Sequence, residues 1–189
     1  FKKMCASVIQ LKKKYGFKVV VGGNGSWELA KPDRMKIHGI DTVVIGEADE
    51  LALDLFHDLE AGDAPELLHT FVRNIENIPP IQGPIVKSLV EAMTRCGRGC
   101  DFCDVNKRSK KDIPLERLQA EASINLRYGF DSIWLQSDEM LLYGCDNKDF
   151  IPNADAISEL WKGLKSTGAN FIGTTHMTLS AVASSPDLI

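Results

Sequence analysis

The chain has 189 residues, 44% of them apolar, and its 22 basic and 26 acidic residues give a formal net charge of −4. This composition is ordinary for a globular protein of one large or two small domains. It gives no overall positive field to attract nucleic acid or anionic lipid. The apolar runs are much shorter than a membrane span. We therefore expect a cytoplasmic protein that binds neither membrane nor nucleic acid.

The first part of the chain alternates helices with strands. An amphipathic helix is predicted over residues 1–15, where apolar side chains recur at helical spacing. Buried strands are predicted over residues 17–21 and 41–45, and each runs into a glycine turn. A helix follows over residues 51–59. Strands that alternate with helices predict a parallel sheet.

A domain boundary is predicted where this pattern stops. Residues 63–84 contain four prolines and no helical period. We therefore predict a first domain over residues 1–63, a linker over 64–87 and a second domain over 88–189. Both ends of the chain interrupt a helical pattern, so we expect it to be an internal piece of a longer protein.

The second domain repeats the strand and helix pattern. Strands are predicted over residues 88–93, 132–136 and 170–174, and helices over about 114–128 and 153–165. In βα barrels the loops at the carboxyl ends of the strands carry the active site. We therefore expect an active site in the loop that follows the strand predicted over residues 88–93.

That loop contains three cysteines within eight positions, namely Cys96, Cys100 and Cys103. The five cysteines of the chain are an odd number with three clustered, which favours metal binding by reduced thiols over a disulfide framework. A closed zinc site needs four ligands, and the remaining Cys5 and Cys145 are distant in sequence. A 4Fe–4S cluster held by three cysteines instead keeps one iron open. A structural zinc loop is the alternative interpretation.

The spacing C-x3-C-x2-C, with Phe102 before the last cysteine, resembles the radical S-adenosylmethionine (SAM) superfamily. The resemblance implies that Cys96, Cys100 and Cys103 bind a 4Fe–4S cluster, and it makes Phe102 a candidate cofactor-binding residue. It also implies that SAM binds the open iron through its amino and carboxylate groups. Electron transfer from a reductant such as ferredoxin or flavodoxin then releases a 5′-deoxyadenosyl radical.

Further candidate residues follow the next two strands. The family commonly has a Gly-Gly-Glu-like turn after the second strand, and here Ser137 precedes Asp138 and Glu139. The resemblance makes Asp138 and Glu139 candidates for binding the amine or ribose of SAM, and a surface or capping carboxylate is the alternative. His176 ends the third strand, where it is a candidate for orienting substrate or cofactor or else a structural histidine.

Glycines follow both strands of the first domain, Gly22 and Gly23 after one and Gly46 after the other. Glycine turns at the carboxyl ends of parallel strands let a ligand approach the backbone, although ordinary turns have the same composition. In this order before the cysteine loop, they resemble the last part of a cobalamin-binding domain. The family's Asp-x-His-x-x-Gly element is absent, which decides nothing about ligation because some relatives lack its histidine. Because the preceding strands of such a domain are missing here, we expect this chain alone to bind cobalamin poorly.

The expected fold is thus α/β, with the C-terminal part of a doubly wound cobalamin-binding-like domain followed by the first βα units of a partial radical SAM (β/α) barrel. The resemblance implies cobalamin-dependent methyl transfer to an unactivated carbon of a small-molecule or peptide substrate. Cyclisation, ring contraction, thioether chemistry and a non-catalytic, metal-stabilised binding module are the alternatives. The basic run at residues 107–111 is predicted to be solvated, and binding of an anionic substrate or partner is the alternative. No catalytic residue is assigned, and we do not expect this chain alone to be competent.

Overall fold

The structure of the chain is a computed structural model that describes residues 2–103, 110–146 and 148–188. The chain divides into two compact units, Phe1–Ile78 and Pro79–Ile189. Each unit combines helices with a parallel sheet, so the predicted α/β class is confirmed. None of the helices within the described residues combines the length and apolar character needed to cross a membrane.

In its described residues the first unit alternates three helices with three strands. The elements are, in chain order, α1 (Lys2–Tyr15), β1 (Val20–Val21), α2 (Pro32–His38), β2 (Thr42–Gly46), α3 (Ala52–Ala61) and β3 (Leu67–Thr70). The strands are parallel in the order β1-β2-β3. Val44 of the central strand packs with Leu55 and Leu59 of α3 in the core, which explains the apolar period of that helix.

Local signals in the sequence account for the limits of several of these elements. The predicted helices of the first unit are confirmed, and Gly62 ends α3 with a left-handed φ of 86°. The first strand is shorter than residues 17–21. The carbonyl of Val19 accepts hydrogen bonds from the N–H groups of Asp41 and Thr42, so this residue already contacts the next segment before β1 begins.

Strand β3 lies inside the range 64–87 that was predicted to be a linker. It pairs with β2 in parallel, with Val43 opposite Leu67. A four-residue strand at the edge of a sheet needs neither a helical period nor a long apolar run, so the pattern did not reveal it. The first unit therefore extends to Ile78 rather than ending at residue 63.

The described residues of the second unit contain a three-stranded parallel sheet, a short antiparallel pair and three helices. The elements are β4 (Leu89–Glu91), β5 (Met93–Thr94), β6 (Lys111–Asp112), α4 (Leu115–Arg127), β7 (Ser132–Gln136), α5 (Ala154–Lys165), β8 (Phe171–Thr174) and α6 (Leu179–Ser184). The parallel order is β4-β7-β8, and β5 pairs with β6. The helices and strands predicted between residues 114 and 174 are confirmed within one residue at each end.

The strand predicted over residues 88–93 is divided at Ala92. The Ala92 N–H group donates to the Gln136 carbonyl at 2.8 Å, which continues the parallel sheet. The Ala92 carbonyl accepts from the Ile113 N–H group at 2.9 Å, on the side of the antiparallel pair. The backbone of this one residue thus joins the sheet to the base of the loop that follows.

The two faces of the second sheet differ in exposure. Ile133 and Leu135 on β7 are fully buried, and α4 and α5 both contact the sheet. Trp134, between them, is 39% exposed, and its ring centroid lies 5.5 Å from that of Phe171. A Cβ atom at Gly173 would lie 2.7 Å from the Trp134 ring, so glycine makes room for the pair. One face is covered by helices, and the other carries an exposed aromatic pair.

Candidate functional site

The three predicted cysteine ligands lie on a loop that leaves β5 and returns to β6. These strands are antiparallel, and Thr94 lies opposite Lys111. We call residues 95–110 the cysteine loop; residues 104–109 of this loop lie outside the described residues. The β5–β6 pair closes the base of the loop, and Ala92 connects that base to the carboxyl end of β4.

The thiols of this loop differ in burial. Cys96 is 7% exposed, whereas Cys100 and Cys103 are half-buried. The Cys103 N–H group donates to the Cys100 carbonyl at 3.0 Å, so a tight turn joins these two residues. All five cysteines are described, and none forms a disulfide. Over the described ranges, no three His, Cys, Asp or Glu side chains are grouped to hold a metal ion.

The backbone of the loop alternates in the sign of φ. Arg95, Gly97 and Gly99 have φ values of 63°, 75° and 67°, and the intervening Cys96 and Arg98 do not have positive φ. Gly97 and Gly99 adopt the left-handed conformation without a steric cost. The positive φ values therefore account for the glycines on either side of Arg98.

The two predicted carboxylates both bind backbone N–H groups. Asp138 Oδ2 accepts from the Arg95 N–H group at 2.7 Å and so anchors the start of the cysteine loop. Glu139 is 1% exposed, and its Oε2 and Oε1 accept from the Thr178 N–H group at 2.9 and 3.2 Å. Thr178 is the residue that precedes α6, so the contacts of Glu139 match the capping alternative. A role of either carboxylate in binding SAM stays a prediction.

Phe102 and His176, the other candidates near the loop, are both exposed. Phe102 is 91% exposed, which leaves its ring available to a bound group. His176 Nδ1 lies 2.9 Å from Thr175 Oγ1, and the His176 carbonyl accepts from the Met140 N–H group. The structure thus gives His176 a local hydrogen bond, and a role of either side chain toward a cofactor or substrate stays a prediction.

One residue of the basic run at 107–111 departs from the predicted solvation. Of residues 107–111, residues 107–109 lie outside the described part of the chain. Lys110 is half-buried, and its Nζ donates to Asp112 Oδ2 at 2.7 Å and to the Leu142 carbonyl at 2.8 Å. For this residue the predicted solvation is wrong, because the ammonium group ties the end of the loop to the segment that follows β7.

Tyr143 adds a second tie between the same regions. Its hydroxyl group donates to the Ile113 carbonyl at 2.8 Å. Burial, followed by the negative charges of Asp112, Glu116 and Glu159, raises the pKa of Tyr143 to about 12. The phenol therefore stays protonated at neutral pH and keeps its donor role. Sequence reasoning missed it because its partner lies on a different element.

A third contact joins the cysteine loop to this segment. The Arg98 guanidinium lies over the Phe150 ring, with 5.0 Å between the guanidinium carbon and the ring centroid. Near Phe150, the buried thiol of Cys145 donates to the Ile151 carbonyl at 3.2 Å. Apolar periodicity does not reveal a contact between two irregular segments, so the Arg98 contact was not predicted.

The predicted glycines lie at the carboxyl end of the first sheet. An added Cβ at Gly22 would contact Val44 at 3.8 Å, and one at Gly23 would meet no atom within 4 Å. Gly23 has φ 87° and Gly46, the last residue of β2, has φ 117°. The open space at Gly23 fits the approach of a ligand to the backbone. Cobalamin binding itself stays a prediction.

Side chains of the first unit also close this end of its sheet. The buried Ser26 hydroxyl donates to the Val44 carbonyl at 2.7 Å. Glu47 Oε2 accepts from the Val72 N–H group at 3.0 Å, and the Glu50 carboxylate accepts from the next two backbone N–H groups. Hydrogen bonds thus join the segment after β1 to β2, and the segment after β2 to the segment after β3.

An iron–sulfur cluster in the cysteine loop stays a prediction, because the described side chains form no metal-binding group. Thiolates are the usual ligands of such clusters, and each thiolate binds a different iron atom, so the three sulfurs would not have to converge on one ion. No protein-family model matches the sequence, and no curated protein is significantly similar to it.

Proposed function

We propose that the chain is the cluster-binding part of a radical SAM enzyme. One observation carries this proposal: a loop with three thiols at C-x3-C-x2-C spacing leaves the carboxyl end of a parallel βα sheet and is closed at its base by β5 and β6. Active sites of βα folds lie at this end of the sheet. Three thiolates leave one iron of a 4Fe–4S cluster open for a substrate.

The residues have distinct roles in this proposal. Cys96, Cys100 and Cys103 hold the cluster, which when bound supplies the electron that cleaves SAM. Asp138 holds the start of the loop through the Arg95 N–H group, so the loop is positioned by the fold. The exposed aromatic pair on β7 and β8 offers an apolar contact to a substrate at the same sheet.

Within this class we propose cobalamin-dependent methyl transfer as the reaction. The support is the carboxyl end of the first sheet, where Gly23 leaves open space next to the backbone. A large planar cofactor can approach such a glycine turn closely. Equilibrium binding of hydroxocobalamin to the chain, which is expected to be weak and is measured by visible absorption up to high cofactor concentration, tests this part of the proposal separately. Gly23→Val should weaken this binding, and equal binding by the two proteins would contradict the assigned position.

Anaerobic reconstitution with iron and sulfide tests the cluster. The unaltered chain should bind about four irons and show the broad visible absorption of a 4Fe–4S cluster. Cys100→Ala should lose most of this absorption, because the cluster loses one of its three ligands. Cys145→Ala is the matched control, since its buried thiol already donates to a backbone carbonyl, and it should retain the cluster.

The results separate the enzyme from its alternative. A change in the electron paramagnetic resonance spectrum of the reduced cluster on addition of SAM supports the enzyme. One tightly bound zinc ion per chain without iron would instead support a metal-stabilised binding module. Full iron content in Cys100→Ala would show that the ligands are wrongly assigned.

A further inference from the structure

Arg98 occupies a special position in the cysteine loop, between two of the proposed cluster ligands. Its neighbours Gly97 and Gly99 have no side chains and are both left-handed. Its guanidinium carbon lies 5.0 Å from the centroid of the Phe150 ring. An arginine that lies over an aromatic face has its plane fixed by the ring, while its N–H groups can still form hydrogen bonds.

Two guanidinium nitrogens of Arg98, Nε and Nη2, are buried and have no hydrogen-bond partner among the described residues. The N–H bonds of these two atoms point in the same direction and form the fork that binds an anion with two parallel hydrogen bonds. The arginine fork therefore brings a positive charge as well as its two donors. A buried charged fork without a partner is unfavourable, and an anion would relieve the cost.

The residue beneath Arg98 is itself in an uncommon conformation. Phe150 has φ 54°, in the left-handed region that bulky side chains rarely adopt. The adjacent Ile151 carbonyl accepts from the thiol of Cys145, which fixes the chain next to Phe150. The fold therefore maintains a strained residue whose ring lies against Arg98.

We infer that Arg98 is the charge partner of the iron–sulfur cluster and raises its reduction potential. This inference rests on the proposed function. The fork lies on the same short loop as Cys96 and Cys100, whose thiolates become acceptors when a cluster is bound. Reduction adds one electron, and hence one negative charge, to the cluster. A nearby positive charge and hydrogen bonds to sulfur both favour the reduced state.

The test is a redox titration of the reconstituted protein, with dithionite as the electron donor and the cluster followed by absorption. Arg98→Met keeps much of the apolar length but removes the charge and the fork. At a fixed potential it should lower the ratio of reduced to oxidised cluster by about tenfold, which is ~59 mV for one electron. Arg98→Lys keeps the charge without the fork and should lie between Arg98→Met and the unaltered chain.

Arg73 provides a matched control in the first unit. Its guanidinium also lies over an aromatic ring, 5.5 Å from the centroid of Phe71. Arg73→Met should leave the potential unchanged, and an equal shift in this variant would overturn the inference. The inference would also be overturned by an unchanged potential in Arg98→Met or, if that variant binds no iron, in Arg98→Gln, which also removes the charge.

Iron binding by the unaltered chain distinguishes the two proposals. If the chain binds about four irons and the Arg98 variants have unaltered potentials, the role of Arg98 is wrong while the proposed function stands. If the unaltered chain binds no iron under reconstitution, the proposed function fails, and the role of Arg98 fails with it.

Discussion

Two buried serines show how differently the two sheets end. Ser26 and Ser137 are each 4% exposed, and each follows a strand at the carboxyl end of its sheet. The Ser26 hydroxyl donates to the Val44 carbonyl, whereas within the described ranges the Ser137 hydroxyl has no hydrogen-bond partner. A bonded buried hydroxyl stabilises a fold, and an unbonded one costs about 1–3 kcal/mol. The same side chain therefore has opposite effects in the two units.

The contrast extends beyond these serines. In the first unit, Glu47 and Glu50 bind backbone N–H groups and complete the end of the sheet. Within the described part of the chain, the buried side-chain atoms without a hydrogen-bond partner all belong to the second unit. One is the hydroxyl of Ser88, at the start of β4. The others belong to Thr94, Arg98, Asp112, Ser137 and Thr174. Buried polar groups without a partner are rare in native proteins, and a functional site is one of the places where they are retained. The second sheet thus keeps its unpaired groups near the proposed site.

The largest expected effect is a loss of folding stability at Gly144, in the segment that follows β7. Gly144 has φ 66°, and its N–H group donates to Asp112 Oδ2. A Cβ at this position would overlap the Cβ of Ala156. Gly144→Ala should lower the free energy of unfolding by about 3 kcal/mol, from the left-handed conformation together with the overlap. Urea denaturation followed by circular dichroism measures the loss.

Gly129→Ala is the control for that substitution. Gly129 has φ 96°, but an added Cβ there meets no atom within 4 Å. It should lose only about 1 kcal/mol, the cost of the left-handed conformation alone. Equal losses of the free energy of unfolding in the two variants would mean that the segment after β7 adjusts to the added Cβ at little cost. This segment would then not hold the cysteine loop in place.

Removal of the two buried serine hydroxyls should change the stability in opposite directions. Ser26→Ala should lower the free energy of unfolding by about 1 kcal/mol, because the Val44 carbonyl loses its donor. Ser137→Ala should raise it by about 1 kcal/mol, because an unbonded hydroxyl is removed. Urea midpoints of the two variants measure both changes. Changes of the same sign would contradict the distinction between the two sheet ends.

The smallest expected effect on stability concerns Asp41, the residue that directly precedes β2. Burial acts to raise the pKa of Asp41, but hydrogen bonds from Lys12 and from the Val19 N–H group, with the charges of Lys12 and Lys18, outweigh it and lower the pKa. The carboxylate therefore adds stability above its unfolded pKa of about 3.9, and this stability is lost as the pH falls through the lower folded pKa.

Asp41→Asn should remove this pH dependence and cost less than about 1 kcal/mol at neutral pH. Urea denaturation at a series of pH values between about 6 and 3 measures the slope. The difference between the two serine variants should not change over this range, since neither serine titrates. A slope retained in Asp41→Asn would assign the acid sensitivity to another group.

The sequence predicts the long elements of the fold better than the short ones. The helices and strands from α4 to β8 follow from apolar periodicity and from the glycines and prolines at their ends. Strands β3 and β6 were missed, since four or two residues at an edge show no period and Lys111 and Asp112 are poor strand formers. Helix α2 was also missed, although Pro32 at its start was a usable signal.

The candidate site was predictable in its residues but not in its contacts. The spacing of the cysteines is visible in the sequence, and their role as ligands remains a prediction. The bond from Arg95 to Asp138 and the contact of Arg98 with Phe150 join segments that are distant in sequence. Such contacts depend on how the elements pack in three dimensions, so periodicity and propensity do not reveal them.

The pairing of β5 with β6 makes the cysteine loop a separable insert. The entropy cost of closing a loop rises only with the logarithm of its length, so a paired base tolerates loops of many lengths. Two antiparallel strands can also be joined by a two-residue Asn-Gly turn. A change in the length of the segment between β5 and β6 should therefore cost little free energy of folding, provided that the strand pair and the hydrogen bond of Ala92 to the parallel sheet are kept.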